Sequence, residues 1–179
     1  VYPFRPVNPP YVPHDMNGVG SYQRTFTLPA NWKDMNVTLH FGGVSSGFKV
    51  WLNGKFLGYG EDSFLSSEFN ITPYLQAGEN IVSVQNIRWS DGSFLEDQDQ
   101  WRLSGIHREV MLLAEPKLRI ADFFYQTKLD KQYKDAVLSI RPRMENLTGK
   151  AINGYQLKAQ LFDKNSKAVF EKPLQRSVN

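Results

Sequence analysis

Phe48-Lys49-Val50-Trp51-Leu52-Asn53-Gly54-Lys55-Phe56-Leu57 is the stretch on which the fold turns. Phe48, Val50 and Leu52 repeat with the period of two expected of a half-buried strand. Asn53-Gly54 then supplies the favoured two-residue hairpin turn, because both central residues must take positive φ and these two do so at least cost. The same alternation extends outward on both sides. Upstream, Tyr22, Phe26 and Leu28 interleave with Gln23, Thr25 and Thr27, and Val37, Leu39 and Phe41 repeat the pattern. Downstream come a loop from Tyr59 to Ser67, a short strand with Phe69 and Ile71, a turn from Gln76 to Asn80, a longer strand from Ile81 to Ile87, and a returning strand through Val110, Met111, Leu112 and Leu113. Five prolines between Pro3 and Pro13 predict extended, polyproline-like chain at the start. No window sustains a helical period, and Pro73-Tyr74-Leu75 has room for one helical turn at most. Many short strands separated by Gly, Pro and Asn turns predict an all-β, jelly-roll-like β-sandwich.

Pro116 marks the expected boundary between a first domain, 1–116, and a second, 117–179. Beyond it, strands are predicted over Leu118–Leu129, Ala136–Met144 and Tyr155–Phe162, with a turn at Lys164–Ser166 and a strand from Lys167 to Phe170. Four strands fall short of the seven or so that an immunoglobulin-like sandwich needs, so the chain is expected to stop inside its second domain. It also opens on Val1, with residues that read as the middle of a segment. Charge divides at the same place. Residues 1–116 hold 8 basic and 12 acidic side chains, a net of −4, and residues 117–179 hold 13 basic and 6 acidic, a net of +7, which together give the +3 of the whole chain. The second part's Lys and Arg are spread along strands and form no basic stripe, which argues against nucleic acid. No apolar stretch approaches membrane-spanning length. Cys is absent, which excludes disulfides and thiolate metal sites but leaves the compartment open between a bacterial cytoplasm and periplasm. Asn36, Asn70 and Asn146 head Asn-x-Thr triplets that are most simply chance.

The chemistry concentrates in Arg88-Trp89-Ser90-Asp91-Gly92-Ser93-Phe94-Leu95-Glu96-Asp97-Gln98-Asp99-Gln100-Trp101-Arg102-Leu103-Ser104-Gly105, which sets four carboxylates and two indoles in one turn-rich segment. Carboxylates accept hydrogen bonds from sugar hydroxyls, Arg and Gln donate them, and an indole face packs on the apolar face of a pyranose. A metal ion is the other use of such carboxylates, and a solvated acidic loop is the bland alternative. Two indoles at its margins suggest a wall and a floor.

These residues resemble the N-terminal part of the large family 2 β-galactosidases. The resemblance rests on Val7-Asn8-Pro9-Pro10 with Val12-Pro13, Phe48-x-x-Trp51-x-Asn53-Gly54-x-x-x-Gly58-Tyr59-Gly60, Asp62-Ser63, Ser67-Glu68-Phe69, Ala77-Gly78-Glu79-Asn80 and, above all, Arg88-Trp89-Ser90-Asp91-Gly92-Ser93 continuing through Leu95-Glu96-Asp97-Gln98-Asp99 to Trp101-Arg102 and Ser104-Gly105-Ile106. It is dense to about residue 116. It implies a jelly-roll sugar-binding domain of the galactose-binding type, followed by the start of an immunoglobulin-like domain. Hydrolysis of terminal β-D-galactosyl groups would occur in a downstream (β/α)8 barrel with a retaining pair of Glu residues, and the whole protein would be a homo-oligomer. The loop 91–104 would reach the barrel's mouth. By that resemblance Asp99 ligates Na⁺ and contacts galactose, while Asp91 and Glu61 ligate Mg²⁺. Glu61 stands where the family carries Gln, which alters the charge of that site. Trp101 and Arg102 are further candidates for the sugar site, with loop anchoring as their simpler role, and Asp91 before Gly92 equally suits a plain turn. The family's sugar-touching Asn lies just before the Tyr2-Pro3 match.

The segment is accordingly expected to lend sugar contacts, metal ligands and architecture to a β-galactosidase whose barrel lies elsewhere, to hydrolyse nothing alone, and to bind Na⁺ or Mg²⁺ weakly alone. An independent carbohydrate-binding module and a purely structural interaction sandwich are the competing classes. Galactoside binding by the isolated chain separates the first from the others.

Overall fold

The computed structural model describes residues 7–96 and 101–178. The chain divides into two compact units, 1–116 and 117–179. Unit 1 holds β1 (Val19–Thr27), β2 (Asn36–Phe41), β3 (Val44–Ser45), β4 (Gly47–Leu52), β5 (Lys55–Gly60), β6 (Ser67–Asn70), β7 (Glu79–Ile87), the single helical turn α1 (Gly92–Leu95), β8 (Gly105–Ile106) and β9 (Val110–Glu115). All pairings are antiparallel. One sheet runs β1-β7-β4-β5, a second runs β6-β2-β9, and β3 pairs β8.

The hairpin of β4 and β5 forms as the sequence predicts. Asn53 and Gly54 sit at φ 49° and 77°, the conformation that an L-residue with a larger side chain avoids. In β7 burial alternates strictly: Asn80, Val82, Val84 and Asn86 point inward. Val37, Leu39 and Phe41 from one sheet and Phe48, Val50, Leu52, Val82 and Val84 from the other share a single core. The two sheets therefore face each other as a sandwich. The Phe41 and Phe48 rings lie 5.1 Å apart, and Phe69 meets both edge-on at 6.1 Å. This aromatic triad is why β5 carries Gly60, where a Cβ would stand 2.7 Å from Phe48 Cζ.

Two expectations for unit 1 need correction. The start of the chain is not extended throughout: the Tyr11 N–H donates to the Asn8 carbonyl at 2.8 Å, closing a turn over Pro9 and Pro10. Proline pre-sets a turn as readily as an extended run. The acidic loop contains the helical turn α1, too short to show a period, held by Ser93 N–H on the Ser90 carbonyl and Ser93 Oγ accepting from the Ser90 N–H.

Unit 2 consists of two antiparallel pairs, β10 (Leu118–Leu129) with β11 (Ala136–Asn146) and β12 (Tyr155–Ala159) with β13 (Leu174–Val178). A bulge between Ile120 and Asp122 shifts the first register. The strand predicted over Lys167–Phe170 does not form. Asp163 accepts from the Asn165 and Lys167 amides at 2.8 and 2.9 Å, which closes a turn, and only Phe162 bridges Ala168. The Gln160 side chain, not a strand amide, takes the Phe170 carbonyl, so the ladder ends and Leu174–Val178 pairs with β12 instead. Among the described residues, no helix is long and apolar enough to cross a membrane.

Candidate functional site

Three segments meet at one end of unit 1: the end of β5, the loop after it, and the segment around α1. Glu61 follows β5, Asp91 precedes α1, and the Gly92 N–H donates to Glu61 Oε1 at 2.9 Å. A Cβ on Gly92 would lie 3.0 Å from Glu61 Cγ, so the close approach depends on glycine. The sequence candidates Glu61 and Asp91 are thus brought into direct contact, sharing a hydrogen bond between their carboxyls. Tyr59 joins them, its hydroxyl lying over Gly47.

The electrostatics of this cluster follow from the contact of the two carboxyls. Burial pushes the Glu61 carboxyl up, yet hydrogen bonds from Asp91, the Gly92 amide, Ser90 and Tyr59 outweigh it and hold the group below the usual carboxylate range. Asp91 is raised, first by its hydrogen bond to Glu61 and then by repulsion from that charge. Partial burial, the hydrogen bond to Glu61 and the charges of Glu61 and Asp91 push the Tyr59 phenol far up, so it stays a donor at all working pH. The depressed Glu61 contributes stability above its unfolded pKa, and that contribution is lost as pH falls through the folded value. The raised Asp91 contributes below its unfolded pKa and loses that contribution as pH rises through its own folded value. Unit 1 should therefore gain most from the pair in the acidic window where Glu61 is charged and Asp91 is still protonated. Glu61→Gln should return the Asp91 carboxyl towards an ordinary value, as read by carboxyl-carbon NMR titration. An Asp91 titration that does not move would contradict the coupling of the two carboxyls.

A second cluster fixes the acidic segment to the body of the sandwich. Ser63, itself buried, donates its N–H to Glu96 Oε1 at 2.8 Å and its hydroxyl to Glu96 Oε2 at 2.5 Å, with Ser45 Oγ 3.3 Å behind. Glu96 is thereby held at the end of α1 by both carboxylate oxygens. Ser45, Ser63, Glu96, Trp101 and Arg102 line a cavity of about 50 Å³. That volume suits an ordered water and not a monosaccharide, whose sites run to several hundred Å³.

The two indoles have separate environments. Trp89 is 7% exposed and packs on Val7, Val12 and Phe94, while Asn17 grips its backbone, accepting from the N–H at 2.9 Å and donating to the carbonyl at 2.6 Å. It belongs to a satellite core and also lines the small cavity beside Glu96. Trp101 is 91% exposed, and Arg102 is partly buried beside it. Asp99 lies outside the described residues, and with it the Na⁺ and galactose contacts expected there. Among the described residues no three His, Cys, Asp or Glu side chains gather as a metal site. Sequence reasoning missed Tyr59, Ser63, Asn17 and Glu96 as organisers. Asp62-Ser63 and Leu95-Glu96 stood in the recognised motifs, but only proximity in space reveals that they clamp each other.

Two antiparallel sheets on one core, with polar loops and strand ends gathered at one end, define unit 1 as a β-sandwich. Residues 1–116 match the family described as "Glycosyl hydrolases family 2, sugar binding domain". The chain belongs to glycosyl hydrolases family 2, and unit 1 is that family's jelly-roll sugar-binding sandwich. It is 45% identical over 173 residues to a protein named beta-galactosidase from Priestia megaterium, covering 97% of this chain and 17% of that protein. A beta-galactosidase from Vibrio cholerae is 45% identical over 168 residues, covering 94% and 16%. The chain thus spans about one-sixth of the length of these relatives. Among solved structures, a beta-glycosidase from Bacteroides vulgatus superposes with TM-score 0.70 at 28% identity, covering 90% of this chain and 20% of that one. Bacteroides uniformis beta-glucuronidase 2 superposes with TM-score 0.75 at 24% identity, with the same coverage, and shows the fold alone.

Proposed function

We propose that this chain is the N-terminal segment of a retaining β-galactosidase that hydrolyses terminal β-D-galactosyl groups of lactose-type substrates. The observation that carries the reading is 45% identity to proteins of that name along nearly the whole chain, including the Asp91–Arg102 segment. In the parent, hydrolysis belongs to a downstream (β/α)8 barrel with two carboxyl groups roughly 5 Å apart, one ionised and one neutral. This segment contributes the loop that enters the barrel's mouth. Asp99 contacts galactose hydroxyls, Trp101 offers its exposed indole face, and Arg102 supports them from the cavity wall. Unit 2 is the beginning of an immunoglobulin-like sandwich, and the parent assembles as a homo-oligomer.

Glu61 and Asp91 offer only oxygen donors, which suits Mg²⁺ in kind, and their number requires further ligands from elsewhere. Both would hold the ion, whose bound charge would supply electrostatic fixation of the loop. Cation binding would compete with protonation of the Asp91 carboxyl, which its neighbour Glu61 raises, so affinity should fall with falling pH. Asp99 would hold Na⁺.

An independent sugar-binding module is the weaker reading, since the cavity beside Glu96 is too small for a sugar without a partner surface. The test is a substrate panel on the full-length protein. A nitrophenyl β-galactoside should be turned over and the matching β-glucuronide should not. The reverse preference would overturn the proposal.

A further inference from the structure

The sequence holds three Asn-Gly pairs, Asn17-Gly18, Asn53-Gly54 and Asn153-Gly154, and the fold treats them differently. Asn-Gly is the dipeptide in which an asparagine is most easily lost to cyclisation. The glycine carries no Cβ to hinder its backbone nitrogen as that nitrogen closes on the preceding side-chain carbon. Closure needs an Asn side chain free to swing back over its own main chain, and a backbone free to bend around it. Hydrogen bonds to the side-chain amide withhold that freedom.

Asn53 is held most firmly. Its Nδ2 donates to the Tyr74 carbonyl at 3.0 Å and to Asn80 Oδ1 at 2.9 Å, and its Oδ1 accepts from the Ile81 N–H at 2.9 Å. Its own N–H donates to the Ile81 carbonyl at 2.8 Å, and the pair joins β4 to β5, so the sheet holds the backbone on both sides. Asn17 is gripped at both ends of its amide, donating to the Trp89 carbonyl at 2.6 Å and accepting from the Trp89 N–H at 2.9 Å. Asn153 has no such hold. It is exposed, in the irregular stretch between β11 and β12, and among the described residues nothing hydrogen-bonds its side chain. The nearby Asn146 and Thr148 side chains close their own turn with the Lys150 carbonyl and leave Asn153 beyond it.

We propose that Asn153 is a site of spontaneous deamidation. The Gly154 backbone nitrogen gives up its proton to base and bonds to Asn153 Cγ. The Cγ–Nδ2 bond breaks, Nδ2 leaves as ammonia, and a five-membered succinimide remains. Water then opens the ring at either carbonyl, giving an aspartyl or an isoaspartyl linkage. The sum is one water consumed and one ammonia released. Each event adds a negative charge to a unit that holds 13 basic and 6 acidic side chains. The isoaspartyl form also adds a methylene to the main chain just before β12 opens at Tyr155, whose partner in β13 is Val178.

The test is ageing of the full-length protein at warm, mildly alkaline pH, followed by proteolysis and mass spectrometry of all three Asn-Gly peptides. The Asn153 peptide should deamidate at least about 100-fold faster than the Asn53 peptide and about 20-fold faster than the Asn17 peptide, a factor of about five for each hydrogen bond that must break. In urea strong enough to unfold the chain, the three rates should draw together. Asn153→Gln should abolish the early acidic species on isoelectric focusing. Equal rates at the three sites in the folded protein would overturn the proposal. So would an Asn153 that stays intact in the folded protein over a time in which the unfolded protein loses it, or an early acidic species that persists in Asn153→Gln.

Discussion

Phe48→Ala is expected to destabilise unit 1 by about 3–5 kcal/mol, the cost of deleting a large aromatic from a core that can collapse only in part. Phe48 is fully buried, its ring lies 5.1 Å from Phe41 and 6.1 Å from Phe69, and the Gly60 backbone closes over its edge. Against a typical domain stability of about 5–15 kcal/mol the loss is severe, and it should lower the unfolding temperature by on the order of 10–25 °C. Phe56, half exposed on the far arm of the same hairpin, is the control and should cost less than about 1 kcal/mol as Ala. Urea unfolding of unit 1 measures both. A Phe48→Ala loss as small as that of Phe56→Ala would mean that the aromatic triad does not close the core.

Asn80→Ala is expected to cost on the order of 2–4 kcal/mol for a different reason. Asn80 is fully buried and its amide makes four contacts: it accepts from Asn53 Nδ2 at 2.9 Å and the Gln76 N–H at 2.9 Å, and donates to the Gln76 carbonyl at 3.0 Å and the Gly78 carbonyl at 3.1 Å. Asn53 in turn accepts from the Ile81 N–H at 2.9 Å and donates to the Tyr74 carbonyl at 3.0 Å. One residue therefore ties the β4–β5 turn to the 76–80 turn, and its removal strands several buried polar groups at once. Asn80→Asp separates this network from simple volume. It keeps the size, but two of its contacts now face carbonyls, so the new carboxyl must stay protonated and the variant should be less destabilised at acidic than at neutral pH. A pH-independent loss in Asn80→Asp would contradict the network.

These two residues also show what a linear reading reaches. Strand periodicity and the Asn-Gly turn are local properties, so the β4–β5 hairpin and its inward Phe48, Val50 and Leu52 were legible from single segments. The second role of Asn53, as an acceptor and donor for a turn 25 residues on, is a property of packing and left no mark beyond a recognised motif. Trp89 shows the limit of a linear reading: an indole beside carboxylates suits a ligand wall and a satellite core equally, and in the fold it packs on Val7, Val12 and Phe94 and also lines the small cavity beside Glu96. In unit 2, the apolar residues near Lys167 resemble a strand, but past the turn at Asp163 only the Phe162–Ala168 bridge forms before the Gln160 side chain takes the Phe170 carbonyl. At the candidate site, Glu61 and Asp91 were named from motif resemblance; the close approach of Gly92, whose N–H donates to Glu61, is encoded by no spacing in the sequence.

The central claim is that this segment lends a side chain to a galactoside site built elsewhere in the same polypeptide. The most direct measurement is kcat/KM for a nitrophenyl β-galactoside on the full-length protein and its Asp99→Ala variant, with this chain alone as a third sample. A charged hydrogen bond or metal ligand lost from the transition state, about 1.5–3 kcal/mol, predicts a fall of roughly 10- to 150-fold in the variant and no turnover by the isolated chain. An unchanged kcat/KM in Asp99→Ala would remove that residue from the site and contradict the account.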